Sequence, residues 1–293
     1  MENEISLKGE LIVLSDIGGT HITAALYEKN NGRILEPSRT RVEFNSKGSA
    51  KSILDAWTGA FRRVIALAEG RPVQIGIAMP GPFDYTRGIS YIRGLDKFEA
   101  LYGLDVRHIL SAALEVTPEN IRFRNDAESA IAGEVFLGAG SGHSEVIGLT
   151  LGTGFGTARS SNSLTTDLNW GSVPFLDSIA DDYFSTRWFI RRFYEIAGLH
   201  VSGVRELAAR AEHSKNASLV FHEFSDNLSE FLTQQFNGLL PELLLLCGNI
   251  SKSHNRFLPE LEKKFPALKM KLGELGEDSA LLGAAALFNQ QVN

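Results

Sequence analysis

The chain has 293 residues and 43% of them are hydrophobic, which is enough to form two modest cores in a soluble α/β protein. The net charge is −6 with acidic and basic residues well mixed, so the sequence lacks the basic stripe that nucleic-acid binding requires. The single cysteine, Cys247, excludes an intrachain disulfide, and we find neither a signal-peptide core nor a membrane-spanning stretch, so we expect a cytoplasmic protein without a membrane contact.

Residues 11–27 (LIVLSDIGGTHITAALY) predict a β-hairpin, because two apolar runs flank a Gly-Gly-Thr turn. Gly18 and Gly19 can take positive φ and approach a ligand closely, and their N–H groups can point at phosphate oxygens. Asp16, just before the turn, is placed to hold a hydrated Mg²⁺, and Thr20 adds a hydroxyl group. The alternative is a surface hairpin in which Asp16 and Thr20 only satisfy the hydrogen bonds of the turn.

The next elements alternate between strand and helix patterns. Residues 33–44 predict a further strand, residues 50–68 have helical apolar spacing, and residues 73–79 form an apolar strand that ends at Pro80-Gly81-Pro82. Sheets built from such alternation bind ligands beyond the ends of their strands. Gly81 is therefore a candidate wall of a binding site, and a purely structural turn is the alternative.

A strand-to-helix junction follows at Asn125 and Asp126. Residues 107–114 predict a helix, residues 120–123 predict a short strand, and a second helix begins at Asp126. An aspartate at a helix start is a favoured N-cap, which is the structural interpretation. The functional interpretation is that the Asp126 carboxylate acts as a general base while the Asn125 amide orients a hydroxyl-rich substrate. The two roles can coexist in part.

Residues 146–158 (VIGLTLGTGFGTA) repeat the plan of the first hairpin about half a chain later. Two hairpins of one design predict a duplicated domain that grips one nucleotide from both sides. The turn at Gly152, Thr153 and Gly154 differs from the common phosphate loops, since neither G-x-x-x-x-G-K-[ST] nor the G-x-G-x-x-G spacing is present.

The rest of the chain predicts mainly helices. Residues 160–179 are polar and irregular, and residues 181–196 predict a helix whose aromatic face is typical of a core or of a dimer interface. Further helices are predicted at residues 204–212, 219–239, 253–265 and 278–288. A strand at residues 242–246 ends at Cys247, Gly248 and Asn249, which form a third glycine-containing turn.

Five short motifs therefore occur in order along residues 11–288. They are Asp16-Ile17-Gly18-Gly19-Thr20, Pro80-Gly81-Pro82, Asn125-Asp126-Ala127, Gly152-Thr153-Gly154-Phe155-Gly156 and Gly248-Asn249-Ile250-Ser251. As a set they resemble the ROK family of bacterial sugar kinases and sugar-responsive regulators. The resemblance implies an α/β, two-lobed actin-like ATPase (ribonuclease H-like) fold with a central cleft. The smaller N-terminal lobe would cover residues 1–124 and the larger C-terminal lobe 125–293, with the last helix (about 278–289) packing back on the N-terminal lobe.

The resemblance also implies roles for single residues. Asp16, Gly18, Gly19 and Thr20 would form the first phosphate and metal loop, with Asp16 holding Mg²⁺ through water, and Gly152, Thr153 and Gly154 would form the second loop. Gly248 and Asn249 would contact the adenosine of ATP, and Cys247 stands where a glycine is common. Asn125 would bind the sugar beside Gly81, and Asp126 would take the proton from the attacking sugar hydroxyl.

The sequence departs from the family pattern in two places. Typical members follow the second loop with a stretch that ends in Gly-Glu-x-Gly-His, which binds the sugar and, together with a cysteine cluster, zinc. Residues 159–179 contain no Glu or His, so we expect no zinc, and Asp167, Asn169 and Trp170 are candidate replacements for the lost sugar contacts. The helix-turn-helix of regulator members is also missing, because hardly ten residues precede Leu11.

The sequence thus predicts an ATP- and Mg²⁺-dependent, glucokinase-like kinase of a sugar or related polyol, with no nucleic-acid partner. The main alternative is a non-catalytic protein that senses a sugar or a nucleotide, since the substrate loop is altered. An actin-like assembly protein is a third possibility. We expect a homodimer from the aromatic segment 181–196 and from the family resemblance.

Overall fold

The computed structural model describes residues 9–289, and its contacts divide the chain into two compact units. The first unit extends to Gly133 and resumes at Glu277, and the second unit is Glu134–Gly276. The boundary thus lies after residue 133, whereas the sequence analysis places it after residue 124.

Fifteen strands and eight α-helices alternate along residues 9–289. The strands are β1 (Leu11–Ile17), β2 (His21–Glu28), β3 (Arg33–Ile34), β4 (Thr40–Glu43), β5 (Val73–Met79), β6 (Phe83–Asp84), β7 (Ile89–Ser90), β8 (Ile121–Asn125), β9 (Glu145–Leu151), β10 (Phe155–Ser161), β11 (Leu164–Asp167), β12 (Pro174–Phe175), β13 (Ser178–Ile179), β14 (Leu243–Cys247) and β15 (Lys269–Leu272). The helices are α1 (Ala50–Ala66), α2 (Val106–Leu114), α3 (Asp126–Leu137), α4 (Thr186–Ala197), α5 (Val204–Arg210), α6 (Lys215–Phe236), α7 (Leu258–Lys264) and α8 (Asp278–Ala286). None of these helices combines the length and the apolar character that crossing a membrane requires.

The first unit is built on a sheet with the strand order β3-β2-β1-β5-β8, and β4 also pairs with β2. Strands β1 and β2 form the predicted antiparallel hairpin, while β5 runs parallel to both β1 and β8. Strand β1 is apolar along most of its length because it lies in the middle of the sheet and is buried on both faces.

Helix α1 covers one face of this sheet. The hydroxyl of Ser49 caps its N-terminus by accepting a hydrogen bond from the N–H of Ser52. The helix then buries Trp57, Phe61 and Val64 in the core of the unit. The 3.6-residue spacing of these apolar side chains is what predicts the helix from the sequence.

The second unit repeats the same sheet plan. Its strand order is β11-β10-β9-β14-β15, with an antiparallel β9–β10 hairpin and parallel β14 and β15. In each sheet the first strand of the hairpin, β1 or β9, has a parallel neighbour, β5 or β14. Each glycine turn therefore lies at the carboxyl end of a strand that is paired in parallel. This is the edge at which α/β sheets bind ligands.

The later boundary between the units arises from the packing of α3 and α8. A Cβ atom at Gly133 would lie 2.0 Å from the carbonyl oxygen of Ser279, so α3 and α8 are in backbone contact within the first unit. Helix α8 also packs on β1 and β5. From Glu134 onward the contacts change, because the Glu134 carboxylate accepts hydrogen bonds from the N–H groups of Ala139 and Leu275 in the second unit.

The aromatic helix predicted at residues 181–196 is shorter than expected. A 3₁₀ turn covers Ala180–Asp182, and α4 begins only at Thr186. The Asp181 carboxylate accepts a hydrogen bond of 2.6 Å from the N–H of Phe155 and is thereby held against the second hairpin. The aromatic side chains of the segment are buried in the core of the second unit: Phe184, Trp188, Phe189 and Phe193. The structure therefore supports the core interpretation of this face, and the homodimer stays a prediction.

Candidate active site

The first sheet brings the predicted site residues of the first unit to one edge. Asp16 of β1 pairs with Ala78 of β5, which in turn pairs with Arg124 of β8, so the three residues form one row across the sheet. The turn with Gly18, Gly19 and Thr20 follows β1, Gly81 follows β5, and Asp126 follows β8. Neighbouring strands lie about 5 Å apart, so the ends of β1 and β8 are about 10 Å apart.

The first glycine turn has a different backbone from the one predicted. Neither Gly18 nor Gly19 has a positive φ, and the N–H of Gly18 donates a 2.9 Å hydrogen bond to the carbonyl oxygen of His21. A Cβ atom at Gly18 would meet the ring and the carbonyl oxygen of His21 at 3.6 and 3.7 Å, and one at Gly19 would meet Lys97 at 3.9 Å, all ordinary contact distances. Packing within the protein therefore does not require glycine at either position. The space above the turn is open.

The N–H groups of Gly19 and Thr20 have no hydrogen-bond partner among residues 9–289. The hydroxyl of Thr20 lies 3.1 Å from Nδ1 of His21, and its side chain is exposed. Unpartnered backbone N–H groups beside glycine are the donors that a phosphate group binds. The turn thus offers two donors and a hydroxyl on an uncrowded surface.

Asp16 is partly buried, and its pKa is raised to about 6. Burial is the largest cause, and the negative charge of Asp126 is the second. The positive charge of Arg41 opposes the shift, and Glu277 adds to it. Two carboxylates therefore repel each other at this edge, which is an environment that favours a bound divalent cation.

Asn125 is the N-cap of α3, a role that the sequence analysis considers for Asp126. Its Oδ1 accepts hydrogen bonds from the N–H groups of Ala127 at 2.9 Å and Glu128 at 3.1 Å. Asp126 is the first helical residue, and its carboxylate also accepts a 2.9 Å hydrogen bond from the N–H of Ala127. Its position at the positive end of the helix dipole stabilises the ionised form.

Tyr85 joins Asn125 to the turn that contains Gly81. Nδ2 of Asn125 donates a 3.2 Å hydrogen bond to Oη of Tyr85, which donates in turn to the carbonyl oxygen of Met79 at 3.1 Å. A Cβ atom at Gly81 would lie 2.9 Å from Oη of Tyr85, so this position requires glycine. Asn125, Tyr85 and Gly81 therefore form one packed group at the ends of β5 and β8.

A buried ion pair fixes the start of α3. Arg124 is only 4% exposed, and its Nε lies 3.0 Å from the carboxylate of Glu128, one turn along the helix. Its Nη1 donates a 3.1 Å hydrogen bond to the carbonyl oxygen of Gly283 in α8. Because the guanidinium is held from two sides, the backbone at Asn125 and Asp126 is held with it.

The second glycine turn, in the second unit, resembles the first. Gly152 and Gly154 do not have positive φ, and a Cβ atom at Gly152 would meet nothing within 4 Å. The N–H of Gly152 donates a 3.1 Å hydrogen bond to the carbonyl oxygen of Gly154. Within residues 9–289, the N–H groups of Thr153 and Gly154 have no acceptor. This turn also leaves two donors beside open space.

The start of α4 holds the second turn from behind. The carbonyl oxygen of Gly152 accepts hydrogen bonds from the N–H and the hydroxyl of Thr186, at 2.8 and 2.9 Å. The carbonyl oxygen of Thr153 accepts a 3.1 Å hydrogen bond from Arg187, which also pairs with Asp181 at 2.5 Å. With the carbonyl oxygens engaged on this side, the turn has a fixed geometry.

The third turn lies against the second. Gly248 has a φ of +89°, and a Cβ atom there would lie 2.4 Å from the carbonyl oxygen of Leu151. The same carbonyl oxygen accepts a 3.0 Å hydrogen bond from the N–H of Ile250. Gly248 is thus required by the backbone, and Asn249 beside it is exposed. The five residues predicted for the second loop and for adenosine therefore lie together at the ends of β9 and β14.

The candidate replacements for the lost sugar contacts have structural roles. Strands β11, β12 and β13 cross the region that the sequence predicts to be irregular. Asp167 accepts a 2.7 Å hydrogen bond from the N–H of Asn169, whose side chain in turn bonds to Ser172. The ring of Trp170 packs edge-on against Phe231 and Phe236 in the core of the second unit. Trp170 thus contributes to core packing, and the suggestion that it contacts the sugar stays a prediction.

Several residues at the two edges are not identified by the sequence analysis. They are Arg41, Tyr85, Lys97, Asp181 and Arg187. None of these residues lies inside one of the short motifs. Each belongs to another segment of the chain and comes close to a glycine turn or to Asn125 only in the folded structure. Arg187 and Asp181 stand out in the sequence only as charges beside an aromatic stripe, so their contacts with the second turn require the tertiary structure.

Comparison with known proteins finds one matching family and several similar sugar kinases. The sequence model of the ROK family matches residues 13–167, which is more than half of the chain. The glucokinase of Thermotoga maritima is 24% identical over 94% of this chain and 96% of its own length. The N-acetyl-D-glucosamine kinase of Histophilus somni is 22% identical over 93% of this chain and 97% of its own length.

The fold is also found among solved structures. The crystal structure of a ROK family glucokinase from Streptomyces griseus, in complex with glucose and AMPPNP, superposes with a TM-score of 0.74. It is 23% identical to this chain, and the alignment covers 94% of this chain and 98% of that one. The predicted α/β, two-lobed actin-like ATPase fold is therefore confirmed.

Proposed function

Because the chain belongs to the ROK family, we propose that it is an ATP-dependent carbohydrate kinase, which transfers the γ-phosphoryl group of ATP to a hydroxyl group of a sugar. The observation that carries the proposal is the position of Asp126, a carboxylate at the start of α3 on the same sheet edge as the first glycine turn and Asp16. The glucokinase and N-acetyl-D-glucosamine kinase relatives support a hexose or an N-acetylhexosamine as the acceptor.

In this proposal Asp126 is the general base. Its carboxylate accepts the proton of the attacking sugar hydroxyl as the new bond to phosphorus forms, and such a base typically contributes about 10²–10⁴-fold to the rate. The amide of Asn125 and the backbone at Gly81 form the sugar-binding group, and Tyr85 holds them together. The Arg124–Glu128 pair keeps this part of the backbone in place.

The two glycine turns would bind the phosphate groups of ATP. Each offers two N–H donors without a partner among residues 9–289, at Gly19 and Thr20 and at Thr153 and Gly154. Glycine at positions 18, 19 and 152 leaves room for phosphate oxygens to approach the backbone. Gly248 and Asn249 would contact the adenosine. We assign the metal to Asp16, whose oxygen donor suits Mg²⁺, and bound Mg²⁺ would neutralise charge on the phosphates.

One observation favours a second candidate, a non-catalytic protein that senses a sugar or a nucleotide. The loop that follows the second turn lacks the Glu and His of typical members, and there Asp167 and Asn169 accept local hydrogen bonds while Trp170 packs in the core. A protein that binds ATP without productive sugar contacts would fit this loop. The retained Asp126 argues for the enzyme, because a sensor has no need of a general base.

An assay of ADP release over a panel of hexoses and N-acetylhexosamines tests the proposal. We expect sugar-stimulated turnover in the wild type and a kcat about 10²–10⁴-fold lower in Asp126→Asn. Asp55→Asn is the matched control, because Asp55 is an exposed carboxylate on α1 that pairs with Lys51 on the same helix. A wild type that binds a sugar by calorimetry but never releases ADP with it would support the sensor instead.

A further inference from the structure

Lys97 lies over the first glycine turn. Its Cδ atom is 3.9 Å from the position that a Cβ atom at Gly19 would occupy, so the aliphatic part of the side chain covers this glycine. The side chain is partly buried, and its ammonium group has no hydrogen-bond or ion-pair partner among residues 9–289. The compact ammonium group of a lysine placed in this way is available to an anionic ligand.

The segment around Lys97 is anchored on both sides. Phe98 is fully buried, its ring centroid lies 5.6 Å from that of Trp57, and its N–H donates a 2.7 Å hydrogen bond to the carbonyl oxygen of Ser46. On the other side, Asp96 forms an ion pair with Lys47. Lys97 is therefore held at its backbone while its head group stays unpaired.

The backbone at Phe98, directly after Lys97, is in an unusual conformation. Its φ of 56° lies in the left-handed region, which Asp96 also adopts but which residues with bulky side chains rarely do. Such conformations persist only where the surrounding structure fixes them, and they cluster at ligand sites. Here the buried ring of Phe98 fixes the conformation, and its result is that Lys97 faces Gly19.

The charges that act on Asp16 at the first turn are mainly negative, since Asp126 and Glu277 are opposed by Arg41. Asp16 and Asp126 are both acidic, the chain has a net charge of −6, and a triphosphate adds further negative charge. His21 follows the turn directly, but burial and the neighbouring charge of Arg41 lower its pKa. At neutral pH its imidazole is therefore mostly uncharged and does not supply the missing positive charge.

We propose that Lys97 is a substrate-contacting residue whose ammonium group binds the phosphoryl group during its transfer at the first glycine turn. The inference rests on the proposed kinase function. The bond between the terminal phosphorus and the bridging oxygen of ADP breaks, a bond from phosphorus to the sugar oxygen forms, and the hydroxyl proton goes to Asp126. Lys97 keeps its protons throughout and acts only by neutralising the oxygens of the moving group.

The test compares Lys97→Met, Lys97→Arg and the wild type. Methionine keeps an aliphatic stem over Gly19 and removes the charge, whereas arginine keeps the charge. We expect Lys97→Met to lower kcat about 10²–10³-fold and to change the sugar KM by less than about twofold. Lys97→Arg should have a kcat at least about tenfold higher than that of Lys97→Met. Lys51→Met is the matched control, since Lys51 is exposed, pairs with Asp55 on α1 and should leave kcat unchanged.

Three outcomes overturn the inference. The first is a Lys97→Met enzyme with a kcat within about threefold of the wild type. The second is a Lys97→Met enzyme in which only the sugar KM rises, because this would assign Lys97 to an anionic acceptor. The third is a loss that Lys97→Arg does not reduce at all. An unchanged thermal unfolding midpoint of Lys97→Met excludes a folding defect as the cause of a lower kcat.

A binding measurement separates this inference from the proposed function. If the wild type phosphorylates no sugar, the kinase proposal fails, and the affinity for magnesium–AMPPNP by calorimetry then decides the role of Lys97. Binding to Lys97→Met that is weaker by about tenfold or more supports a phosphate contact. Equal binding by the wild type and Lys97→Met overturns it.

Discussion

The negative charge of Asp126 raises the pKa of Asp16, although the two residues are more than a hundred positions apart in the sequence. The parallel strands β1, β5 and β8 bring them to the same edge of the first sheet. The two carboxylates come from different motifs, one after β1 and one after β8. A charge interaction between them therefore links the predicted metal residue to the predicted general base.

The first prediction concerns the pH dependence of folding. Burial and Asp126 raise the pKa of Asp16 from 3.8 to about 6 in the folded state, so the folded protein binds this proton more tightly than the unfolded chain. The stabilising effect of the proton is fully present below the unfolded pKa and is lost as the pH rises through about 6. Asp16→Asn removes the ionised carboxylate. The free energy of unfolding of the ligand-free variant, measured relative to wild type, should therefore be about 2 kcal/mol higher at neutral pH than at acidic pH.

Urea unfolding of wild type and Asp16→Asn at about pH 4.5 and about pH 7.5 measures this difference. Asp55→Asn is the control, because this exposed carboxylate should give the same small effect at both pH values. A difference between wild type and Asp16→Asn that is equal at the two pH values would show that Asp16 titrates normally. The same variant should lose magnesium-dependent ATP binding.

The second prediction separates the two roles of Asn125. Asn125→Ala removes both the cap of α3 and the amide contact to Tyr85, so it should lower the free energy of unfolding by about 1–2 kcal/mol and raise the sugar KM about tenfold. Asn125→Ser keeps a capping oxygen and loses only the amide. It should retain nearly the wild-type stability while its sugar KM rises as in the alanine variant.

Chemical unfolding and steady-state kinetics on the two variants are sufficient for this comparison. If Asn125→Ser has a normal sugar KM, Asn125 serves the helix alone and the amide is not a sugar contact. If instead both variants are equally destabilised, the hydrogen bond to Tyr85 matters more for folding than the cap does.

The third prediction compares two glycines of the second unit. Gly248→Ala places a Cβ atom 2.4 Å from the carbonyl oxygen of Leu151 at a φ of +89°. We expect it to destabilise the fold by about 2 kcal/mol or more. A Cβ atom at Gly152 meets nothing within 4 Å, so Gly152→Ala should change stability by less than about 0.5 kcal/mol.

The effect of Gly152→Ala should appear in ligand binding and not in stability. Gly152→Ala fills the space beside the second turn and should weaken binding of magnesium–AMPPNP about tenfold while folding normally. Calorimetry and thermal unfolding on the same samples check both parts. Normal AMPPNP affinity in Gly152→Ala would argue against a phosphate site at this turn.

Much of this fold could be predicted from the sequence because its signals are local. The hairpins at residues 11–27 and 146–158 follow from apolar runs around glycine turns, and α1 follows from its 3.6-residue apolar spacing. The predictions that failed depended on contacts distant in sequence. The helix at residues 181–196 starts late because Asp181 binds the N–H of Phe155, and no local pattern encodes that bond.

The same limit applies to the candidate site. Asp16, Asn125, Asp126 and the glycine turns lie in motifs, so their residue types identify them. The choice of Asn125 over Asp126 as the cap of α3 depends on side-chain rotamers, which the sequence does not specify. Lys97 lies beside Gly19, and the neighbouring Phe98 ring packs on Trp57, a contact between distant segments that no local pattern encodes.

The last prediction concerns the support of the second turn by Asp181. This carboxylate accepts a 2.6 Å hydrogen bond from the N–H of Phe155 and pairs with Arg187, whose other nitrogen donates to the carbonyl oxygen of Thr153. Asp181→Ala leaves the N–H of Phe155 without its acceptor and releases Arg187 from one side. Because a hydrogen bond to a charged group typically contributes about 1.5–3 kcal/mol, we expect the affinity for magnesium–AMPPNP to fall about tenfold.

The neighbouring Asp182 supplies the matched control for this prediction. Its carboxylate accepts a hydrogen bond from the hydroxyl of Ser178 and has no contact with the second turn, so Asp182→Ala should bind magnesium–AMPPNP like the wild type. Sugar affinity should stay unchanged in both variants, because Gly81 and Asn125, the proposed sugar-binding residues, belong to the first unit. An Asp181→Ala protein that folds normally and binds AMPPNP as tightly as Asp182→Ala would mean that the turn keeps its geometry without this carboxylate. The bonds from Thr186 to the carbonyl oxygen of Gly152 would then be sufficient to position the turn.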